Sequence, residues 1–136
     1  MNILFICRHN RFRSKVAEAI AKNLTKNIKH INIKSAGIKL DTLRLFIANN
    51  VLLSLKEKNY PYKNEKPRKI NEQDIIWADK IIIVADNVSK ETFPKEKTEV
   101  WEISDTDEKN KKEIKEIMNQ IEDKVKELLI RLNVYK

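Results

Sequence analysis

Asn2-Ile-Leu-Phe-Ile-Cys7, running into Arg8-His-Asn-Arg-Phe-Arg13-Ser14, is the stretch on which the fold turns. Its first half is almost continuously apolar, with β-branched members, as a strand covered on both faces requires. Residues 8–13 are mostly polar. From Ser14 a helical period sets in, with Val16, Ala17, Ile20, Ala21 and Leu24 forming one stripe, and Ser14 or its predecessor is the expected cap. In an open parallel sheet, ligands bind where the carboxyl end of a strand gives way to a helix. A loop wrapped there turns several backbone N–H groups toward one point, and the helix N-terminus adds its positive dipole. Arg13 adds a planar fork of donors suited to phosphate oxygens. The same field favours thiolate over thiol at Cys7, and the Ser14 hydroxyl can donate to the sulfur. Such a thiolate can attack phosphorus in line while arginine and amides hold the equatorial oxygens. The plainer alternative is a buried structural cysteine at a strand end. A nucleotide-type phosphate loop is excluded, because it needs several glycines and a Gly-Lys-Ser/Thr ending.

Outward from this stretch, strands and helices alternate. A second strand is predicted over Ile31–Ala36, closed by Gly37, and a helix over roughly Asp41–Lys58 with Leu43, Ile47, Val51 and Leu55 on one face. Tyr60–Ile70 holds two prolines and reads as loop. Glu72–Ala78 reads as a short helix and Lys80–Ala85 as a third, doubly buried strand. A helical turn is expected near Val88–Phe93, a fourth strand over Thr98–Ile103, and a long amphipathic helix over Asp107–Leu132. This alternation, with two strands covered on both faces, predicts a parallel sheet with helices on each side.

Composition bounds the partners. The 136 residues are 41% hydrophobic, enough for a packed core, and 35% charged, with a net charge of +8. That charge draws anions, but much of it is lysine on solvated helix faces. No aromatic-interleaved or groove-reading motif accompanies it, so nucleic acid is not an expected partner. No apolar run is long enough to span a membrane, and Met1–Cys7 reads as a strand and not as a secretion signal. The single cysteine precludes an intramolecular disulfide and a cysteine-rich zinc site, which points to a reducing compartment, the cytoplasm. No metal or cofactor is expected.

The residues quoted resemble the low-molecular-weight protein tyrosine phosphatase family, which shares its fold with arsenate reductases. The resemblance is carried by Ile3–Cys7, Asn10, Arg13-Ser14 and Ala17-Glu18-Ala19. Further along it rests on Ser35-Ala36-Gly37, on Pro67-Arg68-Lys69-Ile70 with Asp74 and Ala78-Asp79, and on Trp101-Glu102-Ile103-Ser104-Asp105. It implies a single three-layer α/β/α domain over residues 1–136, flavodoxin-like, with a four-stranded parallel sheet in the order 2-1-3-4. It also implies a phosphomonoester hydrolase working on a phosphorylated protein or small phosphomonoester through a phosphocysteine. Cys7 would be the nucleophile, Arg13 the phosphate ligand and Ser14 the stabiliser of the thiolate. Asn10, supported by Ser35, would hold the loop in shape. Asp105 would be general acid and then base, with Asp107 the fallback; a helix cap is the plainer role for Asp105.

Several positions depart from that family's pattern. His9 and Phe12 replace a glycine and a frequent second cysteine of the loop, so no protective disulfide with Cys7 is available. Thr106 stands where a proline usually follows the acid, which predicts a looser acid loop. Aromatics that wall the mouth are absent, with Phe12 or Phe46 as partial substitutes. Arg8, His9 and Arg11 are expected to form a basic rim around bound phosphate, favouring a polar or multiply anionic substrate. Two rival readings stand. One is an arsenate reductase, which with one cysteine would need an external thiol; the other is a non-catalytic oxyanion-binding or regulatory module.

Overall fold

The structure, a computed structural model, describes residues 1–62 and 66–134. Among them run four strands, β1 (Asn2–Cys7), β2 (Asn32–Gly37), β3 (Lys80–Val84) and β4 (Thr98–Trp101). Four α-helices join them, α1 (Arg13–Leu24), α2 (Asn49–Glu57), α3 (Glu72–Trp77) and α4 (Lys111–Arg131), with one 3-10 turn at Lys95–Lys97. All strand pairs are parallel, as the alternation of elements predicts, and the order is β2-β1-β3-β4, the one the family resemblance implies.

The apolar run that opens the chain explains why β1 lies inside the sheet. Ile3, Leu4, Phe5 and Ile6 are wholly buried. Ile3 and Phe5 face a core shared with α1, α2 and α4, whereas Leu4 and Ile6 face a smaller core that includes Ala78 and Phe93. Burying each such side chain contributes about 1.5–3 kcal/mol, so moving this segment to an edge would expose one whole face. With β2 on one side and β3 on the other, β1 sits at the switch point of the sheet, and Cys7 is its last residue.

Four expectations are corrected. The second helix starts at Asn49, not near Asp41. The Asp41 side chain accepts the Leu43 N–H at 3.1 Å and the Arg44 Nε–H at 2.9 Å, folding the segment into a turn. Leu43 is consequently 90% exposed, and the chain enters the core only at Ile47. Residues 88–93 form bends and a turn, not a helical segment. Ser14 does not cap α1: the helix begins at Arg13 after Phe12, with no side-chain cap bond. The last helix also starts later than Asp107, at Lys111, with the Asn110 side chain accepting the Glu113 N–H. The predicted loop over residues 60–70 includes 63–65, outside the described residues; its later part meets β2 through a bridge between Gly37 and Lys69.

Gly37, the chain's one glycine, matters for a reason of space. A Cβ there would lie 2.8 Å from the His9 carbonyl carbon, 2.9 Å from the Asn10 nitrogen and 3.0 Å from the Arg8 oxygen. The end of β2 thus carries the backbone of the 8–13 loop directly on its surface. Ile38 and Lys39 extend the contact by donating N–H bonds to the carbonyls of Cys7 and Arg8. Gly37→Ala is expected to push this loop outward, costing about 1–3 kcal/mol of stability in urea denaturation, as overpacking does. Because the loop bears the residues that carry the phosphatase resemblance, the hydrolysis of an aryl phosphate that the resemblance implies is expected to fall about tenfold or more. Unchanged values in both assays would show that the close approach does not hold the loop.

Candidate active site

The loop between β1 and α1 is shaped by one buried polar side chain. Asn10 takes a left-handed backbone conformation, φ 58°, which asparagine tolerates better than most residues. It is fully buried, with both amide protons and the amide oxygen hydrogen-bonded. Its Nδ2 donates to Ser14 Oγ at 2.7 Å and Ser35 Oγ at 3.0 Å, while its Oδ1 accepts the Arg68 backbone N–H at 3.1 Å. Because Ser14 Oγ receives that N–H, its own proton is free for Cys7 Sγ, 2.9 Å away. Ser35 passes the chain of bonds on, donating to Glu18 Oε1 at 2.6 Å.

Glu18 ends this chain, and the sequence offered no role for it. Its carboxylate is buried, with Lys22 Nζ at 2.7 Å, Lys15 Nζ at 3.7 Å and the Tyr62 hydroxyl at 3.2 Å. Burial alone would raise its pKa; the hydrogen bonds from Lys22 and Ser35 and the nearby lysine charges outweigh it and hold the carboxyl below its ordinary value. The thiol thus stands on a chain of buried groups ending in a compensated charge, where a half-satisfied network would be costly.

Above the sulfur opens a cleft of about 420 Å³. Cys7, His9, Arg11, Phe12 and Arg13 line it from the loop; Asp105, Thr106, Asp107 and Glu108 line it from the segment after β4. Arg13 is 2% exposed and its guanidinium is turned inward, with Nη1 donating to the Ile103 carbonyl at 2.8 Å and Nη2 to Asn87 Oδ1 at 3.0 Å. Asp86 Oδ1 lies 3.4 Å from Nη1 and Asp105 Oδ2 3.8 Å from Nη2. Asp105 is half exposed, and its Oδ1 accepts the Thr106 N–H. Asp107 also lines the cleft, yet its Oδ1 is engaged by the Lys109 N–H.

The expected basic rim is built differently. Arg8 is exposed and lies outside the cleft lining. His9 does stand at the rim, its Nδ1 2.8 Å from the Lys39 carbonyl. Arg11 is no free rim cation: it is 9% exposed, its Nε donates to the Phe46 carbonyl at 2.8 Å, and its Nη2 reaches Glu108 Oε2 at 2.6 Å. Its guanidinium stacks on the Phe46 ring at 5.3 Å, so Phe46 backs Arg11 and does not itself line the cleft. Phe12 has one side in the main core and another in the cleft. Arg44 joins the wall and reaches Glu108 Oε1 at 3.3 Å. The hydrogen bond from Arg11, with that from Arg44 in support, keeps the Glu108 carboxyl below its ordinary value despite some desolvation.

Glu18, Asp86, Asn87 and Glu108 were not found from the sequence as members of the site. Each is an ordinary polar residue whose partner lies far along the chain, and no local pattern marks it. Among the described residues, no group of three or more His, Cys, Asp or Glu is arranged to hold a metal ion. None of the described helices is long and apolar enough to cross a membrane.

Residues 2–136 match the family described as low molecular weight phosphotyrosine protein phosphatase. No curated protein matches the sequence. Solved structures do match. A low molecular weight phosphotyrosine phosphatase from Vibrio cholerae O395 superposes with a TM-score of 0.86 at 20% identity, over 98% of this chain and 97% of that one. An arsenate reductase from Archaeoglobus fulgidus gives 0.73 at 27% identity, over 93% and 98%. An arginine phosphatase, in a cysteine-to-serine mutant with a phosphorylated active-site serine, gives 0.81 at 18% identity, over 98% and 96%.

Proposed function

The chain belongs to the low molecular weight phosphotyrosine protein phosphatase family, a family of cysteine-dependent phosphatases, and we propose that it hydrolyses phosphomonoesters through a phosphocysteine on Cys7. The observation that carries this reading is the meeting of four groups at one cleft: the Cys7 sulfur with Ser14 Oγ at 2.9 Å, the buried Arg13 guanidinium, and Asp105 beside it. The mutant arginine phosphatase, phosphorylated on its active-site serine, supports covalent capture of the phosphoryl group in this fold.

In the first step the Cys7 thiolate attacks phosphorus; an S–P bond forms as the P–O ester bond breaks, and Asp105 delivers a proton to the leaving oxygen. Arg13 and the amides of the loop bind the equatorial oxygens, where charge collects in the transition state. The proposed contribution of Asp105 is on the order of 10²–10⁴ in rate for a leaving group that needs the proton. In the second step Asp105, now a carboxylate, takes a proton from water; the water oxygen attacks phosphorus, the S–P bond breaks, and inorganic phosphate departs. Ser14 donates to the sulfur whenever it is anionic. Each of Asp105 and Asp107 accepts a backbone N–H on Oδ1; Asp105 is preferred because its Oδ2 stands 3.8 Å from the Arg13 guanidinium.

The substrate is proposed to be a phosphorylated protein or small phosphomonoester with polar surroundings, since among the described residues lining the cleft Phe12 is the one phenylalanine, tyrosine or tryptophan. A thiolate enzyme without a second cysteine needs reducing conditions, so the cytoplasm is its proposed compartment. The decisive experiment feeds an aryl phosphate to an Asp105→Ala variant, quenches it in acid and examines the Cys7 peptide by mass spectrometry. A phosphate adduct on Cys7 is expected, together with greatly slowed turnover. Phosphate binding without adduct or turnover, in the unmodified protein as well, would instead indicate an oxyanion-binding module. Arsenate-dependent oxidation of an external thiol without ester hydrolysis would indicate an arsenate reductase.

A further inference from the structure

We propose that Glu108 is a positioning residue for Asp105, clamping the acid-bearing segment to the phosphate loop through Arg11. The inference rests on the phosphatase reading above and names the device that keeps its acid in place.

Residues 102–110 connect β4 to α4, contain no proline, and include one buried residue, Ile103. The segment is held at two points. At its start, the Ile103 carbonyl accepts from Arg13 Nη1 at 2.8 Å and from the Asp86 N–H at 3.0 Å. Near its end, Glu108 is gripped three times: Oε2 by Arg11 Nη2 at 2.6 Å, Oε1 by Arg44 Nη1 at 3.3 Å, and its backbone carbonyl by Asn50 Nδ2 at 2.9 Å. Between these anchors the hydrogen bonds are local, such as the Thr106 N–H to Asp105 Oδ1, and Asp105 Oδ2 approaches Arg13 Nη2 only to 3.8 Å. Asp105 therefore hangs from a bridge whose two piers are arginines of the same loop that ends β1 with Cys7.

Arg11 is a rigid pier. It is nearly buried, its Nε is tied to the Phe46 carbonyl, and its guanidinium rests on the Phe46 ring. Exposed ion pairs contribute little, but this one joins a mostly buried, pre-oriented fork to a carboxylate, and breaking it leaves Nη2 of that buried cation without its carboxylate. The clamp is distant from the sulfur chemistry in kind: Glu108 neither donates a proton nor holds phosphate. Its effect is on where Asp105 stands, and misplacing a catalytic group by about 1 Å costs on the order of a hundredfold in rate.

A positioning role for the acid has a signature that a brace for the fold lacks. Protonation of the leaving oxygen matters most when that oxygen leaves poorly. The full-length chain, Glu108→Gln and Arg44→Met are compared on p-nitrophenyl phosphate and phenyl phosphate, alone and combined with Asp105→Ala. For Glu108→Gln, the loss of kcat/KM on phenyl phosphate is expected to exceed that on p-nitrophenyl phosphate by about tenfold or more. Arg44→Met, which removes one arm of the clamp, should shift the ratio in the same direction by less. In an Asp105→Ala background, Glu108→Gln should add almost nothing, because the group it positions is gone. Equal losses on both substrates, losses that multiply with those of Asp105→Ala, or a change confined to KM would overturn the proposal while leaving the phosphatase reading intact. If Glu108→Gln does not fold, an unchanged ratio in Arg44→Met overturns it. An unmodified chain that hydrolyses neither ester brings down the phosphatase reading, and this inference with it.

Discussion

Cys7→Ser is expected to lower kcat for phosphomonoester hydrolysis by about 10⁴-fold or more, while leaving the fold and the affinity for inorganic phosphate largely in place. A serine hydroxyl fits the space at the end of β1, where Cys7 is 2% exposed, and can keep the contact to Ser14 Oγ. It cannot supply an anion at neutral pH in the way a thiol can, because hydroxyls ionise far less readily. The groups that would hold phosphate, the Arg13 guanidinium and the loop shaped by Asn10, are untouched. The comparison needs a steady-state assay with an aryl phosphate and a phosphate titration followed by calorimetry. Residual activity within about tenfold of the unmodified chain would mean that another group is the nucleophile. Loss of phosphate binding as well would mean that the sulfur holds the loop together, and the structural role would then be its main one.

Arg13→Lys, which retains the charge, is expected to lower kcat/KM by about 10²–10³-fold. The guanidinium is 2% exposed and its two terminal nitrogens hold the Ile103 carbonyl and Asn87 Oδ1, with Asp86 and Asp105 alongside. A lysine ammonium is a point charge on a flexible stem and cannot span those partners and a phosphate at once. The variant also loosens the anchor at Ile103, so the loss should appear in kcat as well as in KM. A thermal melt run in parallel separates this from unfolding. A change smaller than about threefold in kcat/KM would show that charge alone suffices and that the planar fork is not what binds the transferred group.

How much of this was legible in the chain itself differs between elements. Ile3 to Ile6 could be placed at the centre of a sheet because four consecutive apolar side chains need cover on two faces, and all four are buried. The long helix could be read because Ile114, Ile117, Ile121, Val125 and Leu128 keep helical spacing, and each is buried. The same kind of pattern overextends the second helix at its start. Leu43 and Ile47 share the right spacing, but the carboxylate of Asp41 folds residues 41–44 into a turn and leaves Leu43 in solvent. Short-range hydrogen bonds of that sort compete with helix formation and leave no trace in an apolar pattern.

The candidate site divides along similar lines. Cys7, Asn10, Arg13 and Ser14 lie within eight residues, so the strand-to-helix context alone brings them into one loop. Arg11 reads as a rim cation from sequence because its neighbours along the chain are basic and polar. Its burial is set by Phe46 and Glu108, the latter 97 positions away. Asn87, 74 positions from Arg13, and Glu18, bonded to Ser35 across 17, belong to the same class of partner.

By itself, then, the order of residues determined the parallel sheet, the helices around it and the loop at the end of β1, because apolar periodicity and strand–helix alternation are properties of neighbouring residues. Only the tertiary structure decided which carboxylates answer which arginines, and so whether a given cation faces the cleft or is held in its wall. Those pairings depend on side chains brought within about 3 Å by the packing of distant segments, a distance no spacing along the chain encodes.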